Sequence, residues 1–112
     1  MMSYGANRPN EKDWKLFRKK LPKWQEQYID QMNKEYKEIL AQDKKPSDIF
    51  WELENRIWQD KKKTGVMIRK RNSRSNMWIH IIELLEEGAI TLNDLSDFSE
   101  DLQEKARWVM NH

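Results

Sequence analysis

Met77-Trp78-Ile79-His80-Ile81-Ile82-Glu83-Leu84-Leu85-Glu86-Glu87-Gly88-Ala89-Ile90-Thr91-Leu92-Asn93-Asp94-Leu95 is the most apolar stretch of this 112-residue chain, and its reading decides the fold. Met77, Trp78, Ile81, Ile82 and Leu85 recur at three- and four-residue steps, the spacing of one helix face. Ser73, Ser75 or Asn76 can start this helix, and Gly88 stands where a left-handed C-terminal cap belongs. Thr91 to Asp94 then resembles a capping box with Asp in place of the usual Glu, and Ile90 and Leu95 occupy the two positions of a hydrophobic staple. A tight corner between helices follows. Ser99 caps the last helix, with Phe98, Leu102, Ala106, Val109 and Met110 inward and Lys105 and Arg107 placed toward its C-terminal dipole.

Working back toward the N-terminus, Asn10 caps a short helix carrying Trp14, Phe17 and Leu21, which Pro22 ends or kinks. Because proline suits a first helical turn, a longer helix is predicted from there to about Gln42, with Trp24, Tyr28, Met32, Tyr36 and Ile39 along one stripe and Ile29 and Leu40 beside it. Asp43 to Pro46 breaks it. Ser47 or Asp48 caps a third helix with Ile49, Phe50, Leu53 and Ile57 inward and Trp51 and Trp58 flanking that face. Thr64-Gly65 interrupts its basic end, and residues 63 to 72 read as a connector. Three Gly and three Pro against abundant Lys, Glu, Gln, Leu and Ile also favour helices. The expected fold is all-α, a compact bundle of four to five helices with short connections. Residues 1–9 are expected to form a flexible tail and 10–112 a single domain.

Six Trp, three Tyr and three Phe supply the buried area that a disordered chain lacks, although charged residues make up 36% of the sequence. The absence of Cys excludes disulfides, thiol nucleophiles and Cys-ligated zinc or iron–sulfur clusters. No apolar signal core is visible, nor a run approaching the ~18 to 20 apolar residues of a membrane span, so a cytoplasmic location is expected. A net charge of +2 is too small to imply wholesale nucleic-acid binding. Its distribution is uneven. Lys61 to Ile82 holds seven bases and no acid, while Glu83 to Glu104 holds eight acids and no base. That polarity favours anionic partners at one face and cationic or self partners at another.

The basic segment, with Lys61, Lys62, Lys63, Arg69, Lys70, Arg71 and Arg74, is the candidate anion or nucleic-acid site: its Gly, Ser and Asn can bring amides close to a phosphate. Trp58 and Trp78 border it and offer stacking faces for a single strand. A solvated loop between helices, with both indoles in the core, accounts for the same residues. Ile81 to Leu95 resembles the opening of winged helix-turn-helix repressors, where a helix, a Gly and an Ile-Thr corner precede the motif. The resemblance implies a following recognition helix rich in Arg, Ser and Gln. Here Glu100, Asp101 and Glu104 follow instead and repel phosphates.

His80 and Glu83, three apart, are two ligands of a metal site without a third or fourth. No nucleophile motif or Gly-rich phosphate loop is present. Six indoles exceed what one small core buries easily, which marks Trp51, Trp58 and Trp78 as candidate interface aromatics. The sequence therefore points to a non-enzymatic interaction or regulatory module that binds a protein or its own copies, with nucleic-acid association as the alternative. It implies no cofactor, small-molecule substrate or membrane contact.

Overall fold

The structure, a computed structural model, describes residues 10–68 and 73–112. They form five α-helices and two 3₁₀ turns: α1 (Glu11–Leu40), α2 (Pro46–Asp60), α3 (Thr64–Met67), a turn at Arg74–Asn76, α4 (Met77–Glu87), a turn at Leu92–Leu95, and α5 (Glu100–Asn111). The fold is all-α with short connections. The tail expected over residues 1–9 lies outside the described residues.

Asn10 opens α1 as expected, its Oδ1 accepting the Asp13 amide at 2.8 Å. The two helices expected to meet at Pro22 are one: α1 runs 30 residues straight through it. Proline removes the amide that would reach the Arg18 carbonyl, a cost of about 3 kcal/mol in a helix interior. Phe17, Leu21 and Trp24 straddle Pro22 on one face and are buried in the same core. Each contributes about 1.5–3 kcal/mol by burial, and the exposed proline ring leaves that face undisturbed, so packing on both sides keeps the axis continuous.

The core joins Trp14, Phe17, Leu21 and Trp24 of α1 to Ile68, to Met77, Ile81, Leu84 and Leu85 of α4, to Ile90, Leu95 and Phe98 of the corner, and to Leu102 and Ala106 of α5. The Trp24 ring meets Phe17 edge-on at 6.1 Å and stacks with Phe98, also at 6.1 Å. Gly88 adopts φ +80°, and the Ala89 and Gly88 amides donate to the Leu84 and Leu85 carbonyls at 2.9 and 3.1 Å, the paired bonds of a Schellman ending. The capping box forms at Thr91 and Asp94, but the element it opens is a 3₁₀ turn of four residues. Ser99 then caps α5, accepting the Leu102 amide, and gives its own amide and hydroxyl to the Asp13 carboxylate at 2.9 and 2.6 Å. This clip fastens the first turn of α1 to the first turn of α5. Met110, expected inward, is exposed because Leu102 and Ala106 exhaust the buried face of α5 before its last turn.

The rest of the chain forms an arm. Beyond Trp24, only Met32 of α1 is a buried hydrophobic residue, and α2 contributes none. Extents of 60 × 29 × 21 Å and a radius of gyration of 17.0 Å, against about 13 Å for a spherical domain of this length, reflect a head with a two-helix projection. α2 starts at Pro46, with Lys45 before it and no side-chain cap, rather than after Ser47 or Asp48: proline at the first position has no amide to satisfy. The bonds across the hairpin set its register. Gln42 donates to Glu52, and Arg56 donates to Glu35 and to Asp60. Glu52 thus faces a residue already past the end of α1, and residues 46–51 overhang it.

Candidate functional site: the exposed aromatic face of the arm

Which side of α2 faces α1 follows from its contacts. Asp60, only 3% exposed, accepts the Tyr36 hydroxyl at 2.6 Å and Arg56 Nε at 3.0 Å, and pairs with Lys63 Nζ at 3.2 Å. Burial alone pushes the Asp60 carboxyl up. Hydrogen bonds from Tyr36 and Lys63, with the charges of Lys63 and Arg56, outweigh it and hold the group below its ordinary value. The same burial, then the bond to Asp60, pushes Tyr36 up to about 12. Half-buried Ile49 and Leu53 share this side with Arg56 and Asp60 at four-, three- and four-residue steps. At about 100° per residue, Trp51 and Trp58 point about 180° away from it.

Sequence periodicity misassigned this helix. Phe50 and Ile57, expected inward, are 61% and 36% exposed, and Trp51 and Trp58 are 62% and 51% exposed. The stripe is rotated because a charged cluster, rather than apolar residues, seats the C-terminal half of α2 on α1. Phe50 packs edge-on to Trp51 at 4.9 Å, and Lys62 Nζ lies 3.2 Å over the Trp58 ring, but among the described residues no other element covers these side chains. The result is an aromatic face on an arm that projects from the head. Trp78, the third aromatic candidate, is half-buried against the core instead, with Lys105 Nζ 5.3 Å from its ring centre.

The basic segment disperses. Lys61 and Lys62 are exposed at the end of α2, Lys63 is tied to Asp60, and Arg74 pairs with Glu11 of α1 at 2.8 Å. Arg69, Lys70 and Arg71 lie outside the described residues. The amides of Thr64 and Gly65, which the sequence offered to a phosphate, donate instead to the Glu87 carboxylate at 2.6 and 3.0 Å, and the Thr64 hydroxyl bonds Glu83 at 3.0 Å. Two members of the acidic segment therefore meet the basic one within the molecule, through backbone and hydroxyl rather than through lysine. Gly65 also lets α3 close on α1: a Cβ there would sit 2.5 Å from Tyr28 Cδ2.

A cleft of about 380 Å³ lies where arm meets head, lined by Tyr28, Met32, Glu35, Arg56, Lys63 and Glu87 among others. Its principal charges already engage one another, with Arg56 on Glu35 and Asp60 and Glu87 on the α3 amides. Burial, opposed by the charge of Glu83, pushes His80 below its ordinary value, and its Nδ1 has no hydrogen-bond partner. Among the described residues no three His, Asp or Glu side chains are placed to share a metal ion, and no helix is long and apolar enough to cross a membrane. Comparison of the chain with protein-family models, with curated proteins and with solved structures gives no match.

Proposed function

We propose that this protein is a small cytoplasmic, non-enzymatic interaction module whose docking surface is the outer face of α2. The observation that carries the reading is the exposure of Phe50, Trp51 and Trp58, each more than half accessible, on a helix whose own inner face buries almost nothing apolar. Aromatic side chains of this size, grouped and exposed, are the usual anchors of protein interfaces. The arm's charged base fixes the direction in which the face points, and the head supplies the stability that the arm lacks. A photo-crosslinking amino acid placed at position 51 or 58 in cells should give discrete protein adducts, and the same group at exposed Lys12 on the head should give none. Absence of adducts at both arm positions refutes the reading.

A second reading has one observation in its favour. Exposed Lys61 and Lys62 adjoin the exposed indole of Trp58, a pairing suited to the backbone and bases of a single strand. Binding to a short single-stranded oligonucleotide should then fall steeply with salt and vanish on charge reversal at Arg69, Lys70 and Arg71, with thermal stability nearly unchanged. Binding that survives the reversal ends this alternative. Occupation of the Thr64 and Gly65 amides by Glu87 weighs against it, since a phosphate there would have to displace a carboxylate.

A further inference from the structure

Resting on the reading of the α2 outer face as a docking surface, we infer that its occupant is a second copy of this chain, α2 against α2 in antiparallel register about a two-fold axis between Glu54 and Asn55. The face is close to self-complementary under that operation. Trp51 and Trp58 lie equally far from the axis, so each indole meets the other kind: Trp51 the partner's Trp58, and Trp58 the partner's Trp51. Phe50 and Ile57 border one edge of the contact. Lys62, now over the Trp58 ring, is exposed and swings aside to admit the second indole.

Charge selects this orientation. Asp48 stands in the first turn of α2, while Lys61 and Lys62 stand at its far end. Antiparallel packing brings Asp48 beside the partner's Lys62, which lies on the same edge of the face, at both ends, and opposes the helix dipoles. Parallel packing would set Asp48 against Asp48 and lysine against lysine. The register is the one that sets the two kinds of indole opposite each other, which only an axis midway between Trp51 and Trp58 does.

The area suffices for a reversible dimer. Three aromatics of about 150–250 Å² each, at the observed exposures, together with Ile57, supply about 400 Å² of apolar surface per copy. The two copies together thus bring about 800 Å² of apolar surface into contact, the scale of a weak, reversible association rather than of a permanent one. The face is turned away from α1, and the first turns of α2 overhang the end of that helix. The two heads then lie at opposite ends. Arms overlapping by about 16 residues, or ~24 Å, convert two 60 Å molecules into a particle about 95 Å long.

The test is light scattering on the full chain from about 1 to 500 µM, with small-angle X-ray scattering at the upper end. The expected result is a mass that doubles from 13.7 kDa with a micromolar midpoint, and a longest dimension near 95 Å. Trp51→Ser with Trp58→Ser should remain monomeric throughout with an unchanged circular dichroism spectrum. Asp48→Lys and Lys62→Asp should each weaken the dimer several-fold, and together restore it. A parent protein that stays monomeric to 500 µM overturns the second copy as occupant and leaves the docking surface to be judged by its own crosslinking test. A dimer that survives the double Trp substitution places the interface elsewhere and overturns the inference. A dimer lost with the tryptophans but not restored by the charge exchange overturns the antiparallel register.

Discussion

Replacing Asp60 by Ala should release the arm while leaving the head folded. Three donors lose one acceptor. The Tyr36 hydroxyl, half-buried and bonded at 2.6 Å, forfeits a hydrogen bond to a charged group, about 1–1.5 kcal/mol. Arg56 keeps Glu35 and is 30% exposed at its side chain, so its loss is about 0.5–1 kcal/mol. Lys63, 40% exposed at its side chain, rehydrates at almost no cost. The sum is about 2 kcal/mol. Urea denaturation at an m-value of about 1–1.5 kcal/mol/M should therefore show a midpoint lower by about 1.5 M. Hydrogen exchange adds location: amides of 46–63 should lose protection while those of 77–87 and 100–111 keep it, because no core residue of α4 or α5 bonds to Asp60. Asp60→Asn retains an acceptor and should cost about half as much. A midpoint shift worth less than about 0.5 kcal/mol, or equal deprotection of arm and head, would refute the claim that this carboxylate seats the arm.

Pro22→Ala should stabilise the protein by about 1–2 kcal/mol in thermal melts, since a continuous α1 gains a hydrogen bond there and loses only proline's entropic advantage in the unfolded chain; a helix broken at Pro22 would show no gain. Gly65→Ala places a Cβ 2.5 and 2.7 Å from the Tyr28 ring, so overpacking of about 1–3 kcal/mol should exceed the gain of about 1 kcal/mol from helix propensity, and a variant as stable as the parent would contradict the close approach. Glu87→Ala removes the acceptor of two amides and should cost about 2 kcal/mol, with faster hydrogen exchange at Thr64 and Gly65 as the specific sign. Both Tyr28 and Tyr36 are pushed up to about 12, first by burial and then by Glu87 and Asp60 respectively. A raised pKa favours the neutral phenol in the folded state, so this contribution is complete below pH 10 and should be lost as pH rises through about 12. Asp60 acts in the opposite sense, its lowered pKa giving stability that is present above the ordinary carboxylate range and lost in acid. Absorbance titration of the phenolates alongside urea midpoints across pH checks both.

The head was legible in the sequence because local chemistry and burial agree there. Gly88 was readable as a left-handed cap, Thr91 and Asp94 as a box, Ser99 as a cap, and Ile81 and Leu85 as core, each by a rule that needs only neighbouring residues. The arm was legible in outline only. Proline's local preference argued for a break at Pro22, and a tertiary core on both sides overrode it. On α2, apolar periodicity chose Phe50 and Ile57 as the inner face, yet Arg56 and Asp60 seat the helix through partners 21 and 24 residues away. The i,i+4 spacing of Arg56 and Asp60 was visible, but not that a half-buried tyrosine and Glu35 would turn it inward. The exposed aromatics were anticipated at Trp51 and Trp58 from an excess of indoles, whereas Trp78 sits against the core. The basic run concealed the fate of its own amides, because Glu87 is distant in sequence and acidic residues near a helix end normally suggest solvation.

A single unbroken α1 serves both halves of the molecule, and it makes the arm a ruler. Each residue inserted or removed between Trp24 and Leu40 changes the reach of the tip by about 1.5 Å and swings it around the head by about 100°. One deletion would thus carry Tyr36 away from Asp60 and turn the aromatic face toward another quadrant, although no side chain of that face had changed. Only steps of about seven residues, matched in α1 and α2, restore the azimuth. Arm length in this architecture is therefore quantised: side chains on the aromatic face can vary one at a time, but the distance from the head at which they are displayed can change only by whole pairs of helical turns.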